Sequence, residues 1–141
     1  MTEKYFIDTN ILIYTIDNHN PKKKKISREL VVKLFESHSG IISTQVLQEF
    51  YYTAVNKLKS DPKIIKAILK SFEDLEIVQI NTAIIYDAID CSVANKISFW
   101  DSLIISAAES ANCNKLFSED LNSGQIINGV EIVNPFFDVN T

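Results

Sequence analysis

The sequence predicts an α/β fold in which helices cover both faces of a mostly parallel sheet of about five strands. Short β-branched and aromatic runs indicate buried strands. Segments with apolar residues at helical spacing separate these runs. The regular alternation of the two patterns favours crossover connections between parallel strands. The predicted strands lie at residues 5–7, 41–42, 76–80, 115–117 and 130–133.

Start and stop signals delimit the first two helices. A short apolar helix is expected over residues 11–16, and Thr9 or Asn10 can cap it because both side chains accept hydrogen bonds from a helix start. Pro21 stands where a second helix can begin. Ser39-Gly40 is expected to end that helix.

Four further helices follow from the same signals. Ser43 or Thr44 caps the third helix, and Pro62 begins the fourth. The fifth helix is expected over residues 82–94, and Ser98 starts the sixth. The apolar positions expected to face inward on the third, fifth and sixth helices are Leu47, Phe50, Tyr51, Ala54 and Leu58, then Ile85, Ile89 and Val93, then Phe99, Trp100 and Leu103.

Length and composition suit one ordinary domain, and we expect residues 1–141 to form it. The apolar fraction of 46% is sufficient for a core. Cys91 and Cys113 match neither a disulfide framework nor a zinc spacing, which indicates a reducing compartment. Since no signal peptide and no apolar run of membrane-spanning length is visible, we expect a cytoplasmic protein that does not enter the membrane.

The net charge of −4 conceals an uneven distribution. Residues 1–70 contain 12 basic and 7 acidic side chains, a balance of +5, whereas residues 71–141 contain 2 and 11, a balance of −9. Either the basic residues are solvated helix faces, or they form a phosphate-contacting surface beside an acidic site. The candidates for RNA contact are Lys22, Lys23, Lys24, Lys25 and Arg28.

Four carboxylates occupy comparable places in this predicted architecture. Asp8 follows the first strand, Glu49 lies one helical turn beyond the second, Asp101 lies in the first turn of the helix begun by Ser98, and Asp120 follows the fourth strand. Open parallel sheets place these points at one edge. Close carboxylates repel one another unless a cation binds, and oxygen ligands without histidine or cysteine favour Mg²⁺ or Mn²⁺.

Each carboxylate also has a purely structural interpretation. Asp8 fits a cap or a turn, and Asp101 fits a capping box with Ser98. Glu49 fits a solvent-facing helix position, and Asp120 fits a surface turn. The convergence of all four on one sheet edge favours a site over four separate explanations.

Four segments resemble the motifs of PIN-domain ribonucleases, in particular the VapC-type toxins of bacterial and archaeal toxin–antitoxin pairs. The opening and third motifs are the most specific of the four, and the resemblance spans nearly the whole chain. The motif-like segments are residues 6–14 (FIDTNILIY), 43–50 (STQVLQEF), 98–104 (SFWDSLI) and 116–121 (LFSEDL), with residues 133–136 (VNPF) similar to the usual ending.

The resemblance implies a PIN-like three-layer α/β/α sandwich. It assigns Asp8, Glu49, Asp101 and Asp120 to binding one or two Mg²⁺ or Mn²⁺ ions and to metal-assisted hydrolysis of RNA phosphodiester bonds. The helical pattern alone would not select Glu49. An RNA substrate, a cognate antitoxin protein and a second copy of the chain in a homodimer are the expected partners.

Two further residues have supporting roles in this interpretation. Thr9 and Ser118 are expected to orient metal ligands or water by hydrogen bonds. Some family members have another acidic residue after the fourth motif. Asn122 stands near that place here, so the number of metal ions stays open.

Three other functions compete with this interpretation. A haloacid-dehalogenase-like phosphatase would use Asp8 as nucleophile, but that class has Asp-x-Asp after the first strand and Asn10 fills the second position here. A receiver-like signalling module would need an acidic pair after the first strand, which the sequence lacks. A catalytically silent PIN scaffold acting in assembly is the third, and the intact carboxylates count against it.

Overall fold

A computed structural model describes residues 3–137 and contains a six-stranded sheet flanked by helices. The strand order is β3-β2-β1-β4-β6-β5, and every pairing is parallel except that of β5 with β6. The strands are β1 (Tyr5–Ile7), β2 (Gly40–Ser43), β3 (Glu76–Val78), β4 (Lys115–Phe117), β5 (Ile126–Ile127) and β6 (Val130–Val133).

Six α-helices connect these strands. They are α1 (Thr9–Tyr14), α2 (Pro21–Glu36), α3 (Thr44–Asn56), α4 (Pro62–Ser71), α5 (Thr82–Asn95) and α6 (Phe99–Ser110). Helix α1 packs against α2 and α3, whereas α6 packs against α5 and strands β2, β4 and β6. The expected α/β class with a mostly parallel sheet is confirmed. Among residues 3–137, no helix has the length and apolar character needed to cross a membrane.

The sheet has one strand more than expected. Strand β5 is only two residues long and has one exposed face, so it lacks the apolar run of a buried strand. Asn128 and Gly129 connect it to β6, and both have positive φ angles (51° and 81°). This pair is the Asn-Gly signature of a tight hairpin.

Strand β1 lies in the middle of the sheet and is buried on both faces. Phe6 and Ile7 have no exposed surface, and Phe6 pairs with Ile41 of β2 and Leu116 of β4. Strands covered on both sides are expected to be continuously apolar, and β1 follows that rule. Asp8, which follows directly, is therefore carried into the interior on a rigid support.

The second helix ends differently from the prediction. Helix α2 stops at Glu36, and His38 takes the left-handed conformation (φ 54°) that a glycine was expected to provide. Gly40 belongs to β2 instead. A Cβ atom at Gly40 would lie 2.9 Å from Leu75 Cδ2 and 3.1 Å from Leu34 Cβ, so close packing explains the glycine.

The buried stripe of α5 also differs from the prediction. Ile84, Ala88 and Cys91 face the interior, whereas Ile89 and Val93 are 46% and 75% exposed. The expected stripe lay one or two residues further along the helix, because the small side chains of Ala88 and Cys91 carry a weaker apolar signal than Ile89 and Val93. The positions predicted to be inward-facing that are exposed instead are Tyr51, Ile89, Val93 and Trp100.

Candidate active site

The four predicted carboxylates line one cavity at the switch point of the sheet. Strand β1 is flanked by β2 on one side and β4 on the other. The connection after β1 runs to one side of the sheet, whereas the later strands β4, β6 and β5 lie on the opposite side of β1. Open α/β sheets bind ligands at the carboxyl ends of strands at such a point. The Asp8 backbone N–H donates to the Phe117 carbonyl (3.0 Å), which holds the end of β1 beside the end of β4.

Asp8 is the buried centre of this site. Its Oδ1 accepts a hydrogen bond from the Thr9 backbone N–H (2.7 Å), and its Oδ2 accepts one from the Ser118 hydroxyl (2.7 Å). Asp8 is therefore the N-cap of α1, where Thr9 or Asn10 had been expected to cap. A cap uses only part of a carboxylate, so the structural and functional interpretations are compatible at this residue.

The surroundings of Asp8 disfavour the negative charge of its carboxylate. The pKa of Asp8 is raised to about 7, and burial is the largest cause of that rise. The neighbouring carboxylates of Asp120 and Glu49 contribute to it, whereas the hydrogen bonds from Ser118 and Thr9 act in the opposite direction. A buried carboxylate repelled by two others is the arrangement that a bound cation would relieve.

Glu49 reaches the site from α3 and is held there by Thr9. The Thr9 hydroxyl donates to Glu49 Oε1 at 2.8 Å, and both residues line the same cavity. Helix α3 begins at Thr44 because the Ser43 hydroxyl accepts a hydrogen bond from the Val46 N–H (3.4 Å). This start places Glu49 in the second turn, facing away from the fully buried Phe50.

Asp101 stands at the start of α6. Helix α5 ends where Lys96 takes a left-handed conformation, and the Ser98 hydroxyl then accepts the Asp101 backbone N–H at 3.0 Å. Capping thus engages the backbone of Asp101. Within residues 3–137 no hydrogen bond to the Asp101 carboxylate is formed, and the side chain lines the cavity.

Asp120 and Glu119 follow β4 on a short loop. Ser118 holds the loop, since its hydroxyl oxygen accepts the Asp120 backbone N–H (3.2 Å) while its O–H donates to Asp8. Asp120 is exposed at the cavity wall. Glu119 accepts a hydrogen bond from Tyr14 Oη (2.5 Å) and forms an ion pair with Lys23. The ion pair ties the amino-terminal end of α2 to the site loop.

All four carboxylates line one open cavity of about 710 Å³. Neither histidine nor cysteine contributes to its lining among the described residues, so the donor set consists of the oxygens that Mg²⁺ and Mn²⁺ prefer. Over residues 3–137, however, no three acidic, histidine or cysteine side chains are grouped closely enough to hold a metal ion. Glu49, Asp101 and Asp120 are partly or fully exposed, so rotation of their side chains would be needed to bring them together around a cation.

A comparison with known families identifies the family to which the chain belongs. The family model described as PIN domain matches residues 5–125. The chain belongs to the PIN-domain family. The matched region begins with β1 and ends just before β5, so it contains all four carboxylates.

Solved structures similar to this PIN domain are toxin–antitoxin proteins. DNA-bound VapBC from Salmonella typhimurium is 25% identical with a TM-score of 0.69, and the match covers 95% of this chain and 99% of that one. A toxin–antitoxin complex from Klebsiella pneumoniae is 18% identical (TM-score 0.70; 94% and 98% covered). VapC20 from Mycobacterium tuberculosis, a sarcin–ricin loop cleaving toxin, is 15% identical (TM-score 0.62; 83% and 92% covered). No curated protein matches the sequence significantly. The resemblance to VapC-type PIN domains is confirmed.

The basic residues of α2 lie outside the cavity lining of this PIN domain. Lys23 is ion-paired with Glu119, the Lys24 ammonium donates to Asn18 Oδ1, and Arg28 Nε donates to the Thr15 carbonyl (2.7 Å). Lys22 and Lys25 are exposed. Among the described lining residues the one basic side chain is Lys57, at the end of α3. Asn122 is exposed and does not line the cavity.

Several cavity residues were not singled out as site residues by the sequence. Trp100 was expected to face inward on the sixth helix, because an aromatic residue at helical spacing is more often a core residue. Tyr52 lies outside the stripe expected for the third helix and had no assigned role. Gln45 is buried, and its Nε2 donates to the Trp100 carbonyl at 3.2 Å. Its position on the glutamate-bearing face of α3, four residues before Glu49, is the signal that would have indicated it.

Proposed function

We propose that this PIN domain is a divalent-metal-dependent endoribonuclease and the toxin of a toxin–antitoxin pair. One observation supports the proposal above all others: Asp8, Glu49, Asp101 and Asp120 line a single cavity at the switch point of the sheet. Four separate structural roles for these residues would not require a common cavity. Membership in the PIN family favours nuclease chemistry for such an acidic cavity.

The carboxylates of the proposal would hold Mg²⁺ or Mn²⁺. A divalent cation bound there supplies polarisation of a phosphate oxygen and a lower pKa for bound water. The protein's own contribution is orientation. Thr9 fixes Glu49, and Ser118 fixes both Asp8 and the backbone at Asp120, so the ligand oxygens are supported by hydrogen bonds from rigid elements.

RNA is the proposed substrate, and the cytoplasm is the proposed location. The sarcin–ricin loop cleaving activity of VapC20 supports an RNA substrate for a similar fold. The two cysteines, Cys91 and Cys113, are free and buried, which suits a reducing compartment.

An antitoxin is the proposed partner, because similar structures from Salmonella typhimurium, Klebsiella pneumoniae and Rickettsia felis are toxin–antitoxin or VapBC assemblies. We expect a small DNA-binding protein encoded beside this chain to co-purify with it. Separate elution of the two co-expressed proteins would contradict this pairing.

A catalytically silent scaffold is the second candidate, and the phosphatase alternative has lost support. Asn10 donates through Nδ2 to Asp8 Oδ2 (3.5 Å) and accepts the Glu119 backbone N–H (3.3 Å), so its amide makes structural contacts at the place where a phosphatase would have its second acid. A scaffold would need no cavity lined by four carboxylates. Cleavage experiments separate it from a nuclease.

The experiment that tests the proposal is RNA cleavage by wild type and Asp101→Asn in the presence of Mn²⁺. The substrates are a sarcin–ricin hairpin transcript and a mixture of structured RNAs. Asparagine keeps the backbone cap with Ser98 but removes the negative charge, so we expect a loss of at least about 100-fold in cleavage rate. The capping interpretation predicts little change.

Asp90→Asn is the matched control, since Asp90 is an exposed carboxylate of α5 that does not line the cavity. Circular dichroism verifies that both variants fold, and EDTA should abolish the wild-type activity. Cleavage by folded Asp101→Asn at the rate of Asp90→Asn would refute the assigned role of Asp101. Activity that persists in EDTA would refute the metal dependence.

A further inference from the structure

Two aromatic side chains are exposed in the wall of the acidic cavity. Tyr52 is 69% exposed and Trp100 is 63% exposed, and both line the cavity that contains the four carboxylates. Large aromatic side chains are normally buried in the core, and those that are exposed together often mark an interaction site. Their position beside a proposed phosphodiester cleavage site indicates a role in substrate contact.

Each aromatic residue is coupled by the backbone to one of the carboxylates. Tyr52 follows Glu49 by three residues on α3, so the two side chains share a helix face. Trp100 directly precedes Asp101 in the first turn of α6. A nucleotide whose phosphate lies at the carboxylates would therefore have its neighbouring bases within the part of the cavity that these rings line.

The two helices are connected at this point by Gln45. Its Nε2 donates to the Trp100 carbonyl at 3.2 Å, and its side chain is 5% exposed. Because a carbonyl only accepts hydrogen bonds, the Trp100 carbonyl requires the NH₂ end of the Gln45 amide to face it. The other end of that amide, Oε1, is buried without a hydrogen-bond partner among the described residues. Phe99 packs edge-on against the Trp100 ring (5.1 Å, 75°). Gln45 thus ties the backbone at Trp100 to α3, and Phe99 supports the Trp100 ring from the same helix.

The remaining lining of this wall suits a nucleic acid chain. Gln48 is an exposed amide, which can bond to a base edge, and Lys57 is an exposed cation, which can contact a phosphate. Gln48 lies on α3 before Tyr52, and Lys57 directly follows the last residue of that helix. An apolar partner would not use this combination of amide, cation and carboxylates, whereas unpaired nucleotides would use all of it.

We propose that Tyr52 and Trp100 form a stacking platform for unpaired bases next to the scissile phosphate, so that these two rings hold the bases that flank the cut. The proposal rests on the nuclease function proposed above and adds two base-contacting residues of this chain. Stacking on aromatic rings tolerates any base, because every base has a π-face. Bases inside a duplex are already stacked and paired, so a continuous duplex cannot use the platform.

The test uses Trp100 as its own probe, since it is the one tryptophan in the chain. A 12-nucleotide single-stranded RNA of mixed sequence is titrated into the Asp8→Asn protein, and into EDTA-treated wild type in case that variant fails to fold. Stacking should quench the tryptophan fluorescence. A blunt duplex made from the same RNA and its complement should leave the fluorescence almost unchanged.

Substitutions then separate stacking from general RNA affinity. Tyr52→Ala should weaken binding of the single strand by about 5- to 150-fold, and Tyr52→Phe should restore it because the ring is kept. Tyr51→Ala is the matched control, since Tyr51 is 41% exposed on α3 beside Tyr52 and does not line the cavity. Anisotropy of a labelled RNA measures the same affinities for Trp100→Ala.

Several results would overturn the platform. These are equal quenching by the single strand and the duplex, absence of single-strand binding, or equal affinity of Tyr52→Ala and Tyr51→Ala. Fluorescence that depends on protein concentration without RNA would assign the two rings to an interface between copies of the chain. Binding is measured without cleavage, so a protein that shows the predicted quenching but cuts no RNA would refute the nuclease proposal and leave the platform intact.

Discussion

At the scale of single residues, the candidate site consists of carboxylates that have structural roles and, in the proposed function, also bind the metal ion. Asp8 caps α1 and lines the cavity, and Asp101 is capped at its backbone while its side chain remains available. Sequence reasoning found these residues because strand ends in a parallel sheet share an edge. It did not find Tyr52 or Trp100, because spacing along a helix does not reveal which apolar residues a neighbouring element leaves uncovered.

Asp8 offers a direct test of metal binding. Mn²⁺ titration should raise the melting temperature of the wild type, since a ligand that binds only the folded state adds stability, about 2.7 kcal/mol at 100 times its Kd. The increase should be much smaller for Asp8→Asn, which loses the charge at the centre of the carboxylate group.

Asp17→Asn is a suitable control for that measurement. Asp17 is also buried and lines the same cavity, but its carboxylate is engaged by the backbone and ring of His19 (both 2.9 Å). Its response to Mn²⁺ should match that of the wild type. Equal Mn²⁺ responses in the wild type and Asp8→Asn would mean that the ion binds elsewhere.

Ser118 tests how far the site depends on orientation. Ser118→Ala removes the hydrogen bond to Asp8 and the acceptor for the Asp120 N–H, so we expect activity to fall about 10- to 100-fold. The free energy of unfolding should fall by about 1–3 kcal/mol, because buried groups lose their partners.

Ser106→Ala is the control, since the Ser106 hydroxyl is buried without a partner in the described structure and its removal should cost little. Chemical denaturation and initial cleavage rates check both variants, and equal values for the two would remove Ser118 from the site.

At the scale of elements, the order and type of helices and strands follow from the sequence, but the orientation of one helix does not. On α5 the true inward stripe contains Ala88 and Cys91, whose small side chains carry a weak periodic signal beside Ile89 and Val93. Strand β5 was missed for a related reason: two residues cannot show a period, although the Asn-Gly pair after them marks the hairpin.

The exposed face of α5 is the surface on which we expect the homodimer predicted from the sequence to form. Tyr86, Ile89 and Val93 recur at helical spacing and are all exposed, which leaves an apolar stripe without a partner in residues 3–137. We expect sedimentation velocity to give the mass of a dimer for the wild type and of a monomer for Val93→Glu, because burying an unpaired charge in an interface is costly. Val32→Glu is the control, since Val32 is an exposed valine of α2 outside this stripe. A monomeric wild type, or a dimeric Val93→Glu, would exclude α5 as the dimer interface.

At the scale of the whole molecule, the fold combines two halves of opposite charge at one site. Asp8 and Glu49 come from the basic first half, and Asp101 and Asp120 come from the acidic second half. The alternating pattern predicted that Asp8, Asp101 and Asp120 share one edge, because a parallel sheet places strand ends together wherever they lie in the sequence. The assignment of Glu49 depended on the resemblance to PIN-domain ribonucleases. The spatial arrangement of the lysines was not predictable, since it depends on ion pairs such as Lys23–Glu119 between distant segments. A single domain over residues 1–141 stays a prediction.

The charge distribution leads to a prediction for the salt dependence of RNA binding. Each phosphate contact to a single strand contributes about 0.7 to the slope of log affinity against log salt. Lys57 lines the cavity, so Lys57→Gln should reduce the slope by about 0.7. Replacing Lys22, Lys24 and Lys25 with glutamine together should reduce it by about 1.4 or more if at least two of them contact phosphates.

Lys23 is kept in that triple variant so that its ion pair with Glu119, and with it the site loop, is preserved. Lys96→Gln is the control, because Lys96 is exposed in the acidic half and does not line the cavity. Anisotropy of a labelled 12-nucleotide RNA between about 50 and 200 mM salt gives the slopes. A triple variant with the slope of Lys96→Gln would show that the lysines of α2 are solvated helix surface. The same slope for Lys57→Gln would place the bound strand away from the end of α3, and the path of the RNA would then have to leave the cavity on another side.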